Sequence, residues 1–191
     1  MTERPSASIR VGEWRDYYGD VKEIKPMNAP PPRGKSVRVT MFVDADFAGD
    51  KITRRSRTGI LLFVNRAPVS WLSKKQPTIQ TATFGAEFTA LRTGTEMIKG
   101  LRYKLRMLGV PIEGPAITYC DNMSVVNNTT RPESVLMKKS TSVNYHYVRE
   151  CVAAGIQEIN FVRTNDNLAD CLTKTQTGLQ RRAIVSRFMY E

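Results

Sequence analysis

Histidine and cysteine are scarce in this chain. One histidine, His146, and three cysteines, Cys120, Cys151 and Cys171, with no CxxC pair among them, cannot assemble a zinc framework. The lack of a GxSxG, and of a cysteine placed near the one histidine in an identifiable motif, argues against the nucleophilic hydrolases as well. A glycine-rich phosphate loop is missing. Long apolar runs are missing too: the strongest, Gly59 to Val64, is far too short to cross a bilayer, and the opening MTERPSASIR has no apolar signal-peptide core. An odd, sparse cysteine count fits a reducing compartment, so the expectation is a soluble intracellular protein with no membrane partner.

Negative charge is in deficit. Lys and Arg number 29 against 18 Asp and Glu, a formal +11 with a pI near 9.8. That balance points to a polyanionic partner such as nucleic acid, the plainer alternative being a generally solvated basic surface. Core-forming residues are present in ordinary measure. At 191 residues, with 41% hydrophobic and 25% charged, the chain is long enough for one domain with an appendage and too apolar to be disordered throughout.

Residues 1–36 differ in kind from the rest. They carry few alternating apolar positions and end in Pro30, Pro31, Pro32, Arg33 and Gly34, which favour an extended segment and cannot continue a helix. They read as a linker, with Trp14, Tyr17 and Tyr18 as anchors onto the domain of residues 37–191. From Val37 the alternation Val37, Val39, Met41, Val43 predicts a strand that delivers Asp44 at its end. Thr58 to Val64 reads as a central strand and Val69 to Leu72 as a third, joined in an antiparallel meander. Phe84, Phe88, Leu91, Ile98, Leu101, Leu105 and Leu108 then mark the longest helix, with Thr83 as its cap and Gly109 and Pro111 as its stop. Gly94 and Gly100 lower its propensity and are expected where it packs tightly on the sheet. Ala116 to Cys120 reads as a fourth strand, Asn122 to Asn128 and Asn144 to Ala154 as helices, and Ile156 to Val162 as a fifth strand. Thr164, Asn165 and Asp166 offer caps for a last helix holding Leu168, Asp170 and Leu172. The expected class is α/β or α+β, a mixed sheet with helices on its faces.

Four acids stand at comparable places: Asp44 at the end of the first strand, Glu87 in the first turn of the long helix, Asp121 at the end of the fourth strand and Asp170 in the late helix. Carboxylates gathered at one edge of a sheet repel and raise one another's pKa unless divalent cations neutralise them, and hard oxygen ligands select Mg²⁺ or Mn²⁺ over Zn²⁺. Taken singly, each acid is explained by the preference of turns and caps for carboxylates; only the joint arrangement points to a metal. Asp46 and Asp50 read as turn residues.

In order along the chain, VDADFAGD, SWLSKKQPT, ATFGAEFTAL, TYCDNMSVV and NLADCLTK resemble the ribonuclease H domain of copia-type LTR retrotransposon polyproteins, especially those of algal elements. The likeness runs from about Val37 to the C-terminus, and YGDVKEIKPMNAPPPRGK resembles the segment that joins reverse transcriptase to that domain. The resemblance implies a ribonuclease H-like fold of class α/β: a five-stranded mixed sheet, three antiparallel strands and then two added strands, flanked by helices. It implies that Asp44, Glu87, Asp121 and Asp170 hold two Mg²⁺ ions, with Mn²⁺ as a substitute. Asp44 would bridge the ions, Asp170 completing one site and Glu87 with Asp121 the other. The reaction implied is hydrolysis of the RNA strand of an RNA/DNA hybrid. The reverse transcriptase of the same polyprotein is the implied partner, and a cytoplasmic virus-like particle or the nucleus the implied place. A domain that grips nucleic acid without cutting it, and an integrase-like or exonuclease relative, remain the alternatives.

A groove that reads a hybrid needs phosphate contacts and a donor for the 2′-hydroxyl. Candidates are Arg54, Arg55 and Arg57 in the first hairpin, Lys74, Lys75 and Gln76 after the third strand, Asn122 beside Asp121, and Lys138 with Lys139. Trp71 either stacks on a nucleotide sugar or belongs to the core. Cys120 and Cys171 read as buried packing residues, and His146 as structural rather than a proton shuttle. Ser140 stands where the resembled family usually has a histidine.

Overall fold

The alternation after Val37 becomes the central strand of the sheet. In the computed structural model, which describes residues 13–136 and 139–189, β1 (Val39–Asp46) buries Val39, Met41 and Val43 completely. It runs antiparallel to β2 (Arg57–Val64), and β2 runs antiparallel to β3 (Ala67–Lys75). On its other side β1 pairs in parallel with β4 (Ala116–Cys120), and β4 in parallel with β5 (Gln157–Phe161). The order β3, β2, β1, β4, β5 is the expected five-stranded mixed sheet. β2, flanked by strands on both sides, is buried from Thr58 to Phe63, which is why its sequence is continuously apolar. The turn into β3 is made by Asn65 at φ 55°, a left-handed position that asparagine tolerates; its amide donates to the Arg38 carbonyl and its side-chain oxygen accepts from the Arg38 amide.

α2 (Thr83–Met107) lays Phe88, Leu91 and Ile98 onto β1 and β2. Its cap position is Ala82, with no side-chain cap bond, so Thr83 is the first helical residue rather than the expected cap. Gly109, at φ 69°, ends it as expected. Gly94 packs tightly on the sheet, since a Cβ there would lie 2.5 Å from the Met41 sulfur and the end of that side chain would have to shift; Gly100 faces open space and has no such role. Asn122 caps α3 (Met123–Thr130) by accepting from the Ser124 and Val125 amides, and α4 (Ser142–Ala153) stops before Gly155 at φ 68°. The last expected helix is instead two tight 3₁₀ turns, Thr164–Asp166 and Leu168–Leu172, followed by α5 (Gly178–Val185). Asn167 between the turns has an extended backbone and accepts from the Ala169 amide, which resets the chain and prevents one continuous helix.

Residues 13–37 are docked on the domain at several points. α1 (Trp14–Tyr18) sits on α4, with the Arg149 guanidinium 4.9 Å from the Trp14 ring centre and donating to the Tyr18 hydroxyl at 3.1 Å. Trp14 and Tyr18 are therefore anchors, whereas Tyr17 is half exposed. Farther on, Glu23 receives Arg102 at 2.8 Å and also Arg106. Burial pushes the Glu23 carboxyl up, but the two guanidinium groups outweigh it and hold it at about 2. The Arg33 amide then donates to the Gly109 carbonyl at 2.8 Å, and Val37 to Pro111 at 2.9 Å. Among the described residues no helix is long and apolar enough to cross a membrane.

Candidate active site

Parallel pairing of β1 with β4 places Val43 beside Cys120, so the residues that follow, Asp44 still within β1 and Asp121 just past the end of β4, come out side by side. Asp44 is 2% exposed. Glu87 lies on the second turn of α2 and is 4% exposed. Ligand atoms of Glu87, Cys120 and Asp121 all lie within 4.8 Å of one another.

Asp170 arrives from the Leu168–Leu172 turn, which is pinned to β1 by Asn167 donating to the Val43 carbonyl at 2.9 Å. Gly59, the β2 partner of Asp44, makes room for it: a Cβ at 59 would lie 2.6 Å from the Thr173 methyl and 2.9 Å from the Ala169 carbonyl. The Thr173 hydroxyl donates to Asp44 Oδ2, and the Lys174 ammonium donates to Asp170 Oδ1 while standing 4.0 Å from Asp44 Oδ2. Gln176 donates to Asp170 Oδ2 at 3.2 Å. The cluster thus has two halves, Glu87 with Cys120 and Asp121, and Asp44 with Asp170 joined through Lys174.

Burial raises the Asp44 carboxyl above its ordinary value, opposed by Thr173 and Lys174 and reinforced by Asp121 and Asp170. Glu87 is pushed up to about 9, by burial first and then by the Asp44 and Asp121 charges. Burial also lifts the Cys120 thiol well above its ordinary value, so it stays protonated and offers no soft thiolate ligand. One Glu87 oxygen, Oε2, is buried with no hydrogen-bond partner. Carboxylate oxygens, mutual repulsion and an orphaned buried oxygen make a donor set that fits a hard divalent cation.

The basic candidates spread over several surfaces. Arg54, at φ 55°, and Arg55 are exposed in the β1–β2 loop, and Arg57 donates to Ser73 at 3.4 Å. Lys74 is exposed, while the Lys75 ammonium is held by Asp50, which also accepts from the Ile52 and Thr53 amides as a turn residue should. Asn122 is half-buried with its side-chain oxygen committed to capping α3. Lys139 is exposed; Lys138 lies outside the described residues, as does the Ser140 side chain. Gln76 departs from expectation. It is 2% exposed, and its amide donates inward to Thr58 at 3.1 Å and the Ala86 carbonyl at 2.9 Å, tying the end of β3 to the start of α2 rather than facing a groove. Trp71 is 67% exposed, so it is not core. His146 meets the Tyr18 hydroxyl at 3.0 Å, the structural role expected of it, and Cys171 is only half-buried. Asn167, Thr173, Lys174 and Gln176 shape the site and were not singled out from the sequence. The first three lie within NLADCLTK, where polar residues flanking Asp170 were the available signal.

A mixed sheet of this order is the fold of ribonuclease H domains. The N-terminal ribonuclease H domain of rv2228c from Mycobacterium tuberculosis superposes with a TM-score of 0.55 at 15% identity, over 79% of this chain and 98% of that one. LC11-RNase H1, in a crystal structure with an RNA/DNA hybrid, superposes at 0.57 with 13% identity, over 71% and 94%. At such identities the likeness is one of fold. In sequence the chain is similar to the retrovirus-related Pol polyprotein from transposon RE1 of Arabidopsis thaliana, 30% identical over 153 residues that make up 79% of this chain and 10% of that protein. It is likewise similar to that from transposon TNT 1-94 of Nicotiana tabacum, 36% identical over 134 residues, 70% of this chain and 10% of that protein. The chain therefore spans about a tenth of the length of these curated relatives. No family model matches it.

Proposed function

We infer that this chain is a divalent-metal endoribonuclease that hydrolyses the RNA strand of RNA/DNA hybrids, the ribonuclease H part of a copia-type retrotransposon Pol polyprotein. The observation that carries the reading is the convergence of Asp44, Glu87, Asp121 and Asp170, from four separate elements, with Glu87 held at about 9 and one of its oxygens orphaned. The similarity to transposon Pol polyproteins supports the same reading. Glu87, Asp121 and Asp44 would hold one Mg²⁺, and Asp44 with Asp170 a second. Bound there, the pair supplies an activated water on one side of the phosphodiester and charge neutralisation for the leaving 3′ oxygen on the other. Thr173 fixes the orientation of Asp44. Asn122, anchored by its cap bonds, has its amide nitrogen as a donor for a 2′-hydroxyl beside Asp121. Exposed Arg54, Arg55, Lys74 and Lys139 bind phosphates, and Trp71 stacks on a nucleotide. Residues 37–191 form the catalytic unit and residues 1–36 the joint to a reverse transcriptase domain, which holds the hybrid in a virus-like particle or the nucleus.

Purified chain incubated with Mg²⁺ and a hybrid labelled on the RNA strand should give RNA fragments ending in 5′-phosphate and 3′-hydroxyl, and Asp121→Asn should give none. Hybrid that stays whole across Mg²⁺ and Mn²⁺ titrations would overturn the reading. Salt-sensitive binding without cutting would then select a non-cleaving nucleic-acid-binding domain, and trimming of DNA ends an exonuclease-like one.

A further inference from the structure

The two halves of the acid cluster are not equivalent. Both oxygens of Asp170 already have donors within the chain, Lys174 on Oδ1 and Gln176 on Oδ2 at 3.2 Å, and Asp44 Oδ2 accepts from Thr173 with the Lys174 ammonium 4.0 Å away. On the other half, Glu87 Oε2 is buried with no donor. One half is satisfied by a cation that the chain carries itself, and the other keeps a buried oxygen with no donor from the chain.

We propose that Lys174 is a built-in counter-ion that holds the Asp44 and Asp170 half of the cradle closed to divalent metal, so that the Glu87 and Asp121 half loads first and the second cation enters only when the ammonium is drawn away by a phosphate of the bound nucleic acid. This rests on the metal-dependent reading of the site given above. Lys174 is built to move. Its side chain is 42% exposed, and a cavity of about 310 Å³ opens beside Asp170, lined also by Lys174, Gln176, Gln180 and Arg187. A substrate phosphate entering that cavity meets two basic side chains, and Lys174 exchanges a carboxylate partner for a phosphate one. Asp170 is thereby released for a metal at the moment the polyanion arrives, and the chain avoids gathering two divalent cations before it holds a substrate. The spacing favours this exchange: Lys174 lies four residues beyond Asp170, close enough to pair with it yet on a stem long enough to swing into the cavity.

The test counts metal ions without reference to cleavage. Mn²⁺ is titrated into the full chain at neutral pH, with no nucleic acid, and bound ions are counted from the loss of the free-ion electron paramagnetic resonance signal. Wild type should hold one tightly bound ion. Lys174→Met, which keeps most of the length and removes the charge, should hold two, or bind the second at least tenfold more tightly, and Lys174→Arg should behave as wild type. Circular dichroism melts check that the variants are folded; should Lys174→Met fail that check, Lys174→Gln takes its place. Equal stoichiometry and equal affinities in wild type and the uncharged variant would overturn the proposal while leaving the cradle intact. Mn²⁺ binding that is absent, or unaltered by Asp44→Asn and Asp121→Asn, would instead overturn the cradle and the function read from it.

Discussion

Glu87→Gln should make the metal-free protein more stable at neutral pH. The folded chain holds the Glu87 carboxyl at about 9, against an ordinary 4.5. Folded protein therefore binds a proton that the unfolded chain gives up. The contribution of this group is fully present below pH 4.5 and drains away as pH rises towards 9. At pH 7 the loss is about 3 kcal/mol, taking roughly 1.4 kcal/mol for each pH unit above the ordinary value. Glutamine keeps the shape and does not titrate, so the variant escapes that loss, by up to about 3 kcal/mol or roughly 6–12 °C in Tm for a chain of this size. Asp44, also raised by burial, adds its own slope to both proteins, so the difference between them reports Glu87 together with its coupling to Asp44 and Asp121. Urea unfolding in chelator from pH 4.5 to 8.5 measures it. The advantage of the variant should vanish at pH 4.5 and widen with pH, and saturating Mg²⁺ should reverse the order by stabilising wild type alone. A difference that stays flat with pH, or a variant less stable than wild type at pH 7, would refute the reasoning.

Asp44→Asn and Asp121→Asn should each lower hybrid cleavage by at least about a thousandfold, since each removes charge that the metal chemistry needs, while circular dichroism shows the fold retained. Gly59→Ala should drive the Leu168–Leu172 turn off the sheet, costing about 1–3 kcal/mol in urea unfolding and weakening Mn²⁺ binding through displaced Asp170. Glu23→Ala should strand Arg102 and Arg106 beside one another with little solvent. A loss of about 3–5 kcal/mol is expected, with residues before β1 opened to limited proteolysis. In wild type the Glu23 contribution is present above pH 4.5 and lost as pH falls towards 2, so acid should release the same segment. Trp71→Ala should leave stability within about 0.5 kcal/mol, because the ring is exposed, yet weaken hybrid binding by about 1 kcal/mol in a fluorescence anisotropy titration.

Strand and helix periodicity made most of the sheet legible. The alternation around Met41, the continuous run after Thr58 and the long amphipathic stripe from Phe84 each report a local environment, and each strand or helix formed there within a few residues. Local pattern says nothing about partners far along the chain. Glu23 meets Arg102, 79 residues away, so a stretch that reads as a linker with aromatic anchors is held on α2 by ion pairs as well as on α4 by Trp14 and Tyr18. Gln76, in a run of exposed basic residues, turns inward because its amide finds the Ala86 carbonyl and the Thr58 hydroxyl. The turn carrying Asp170 is set by Asn167 reaching the β1 backbone, a tertiary bond that overrides the helical spacing of Leu168 and Leu172. The acids themselves were legible as residues at element ends. Their division into a half satisfied by Lys174 and a half left short of donors depends on distances that no spacing contains.

Crystals of the chain soaked in Mn²⁺ and measured at the manganese absorption edge give the most direct reading of the site. An anomalous peak bounded by Glu87, Asp121 and Asp44 is expected. Peaks only on surface carboxylates such as Asp16 or Glu113, with none between those three side chains, would contradict the convergence on which the function rests.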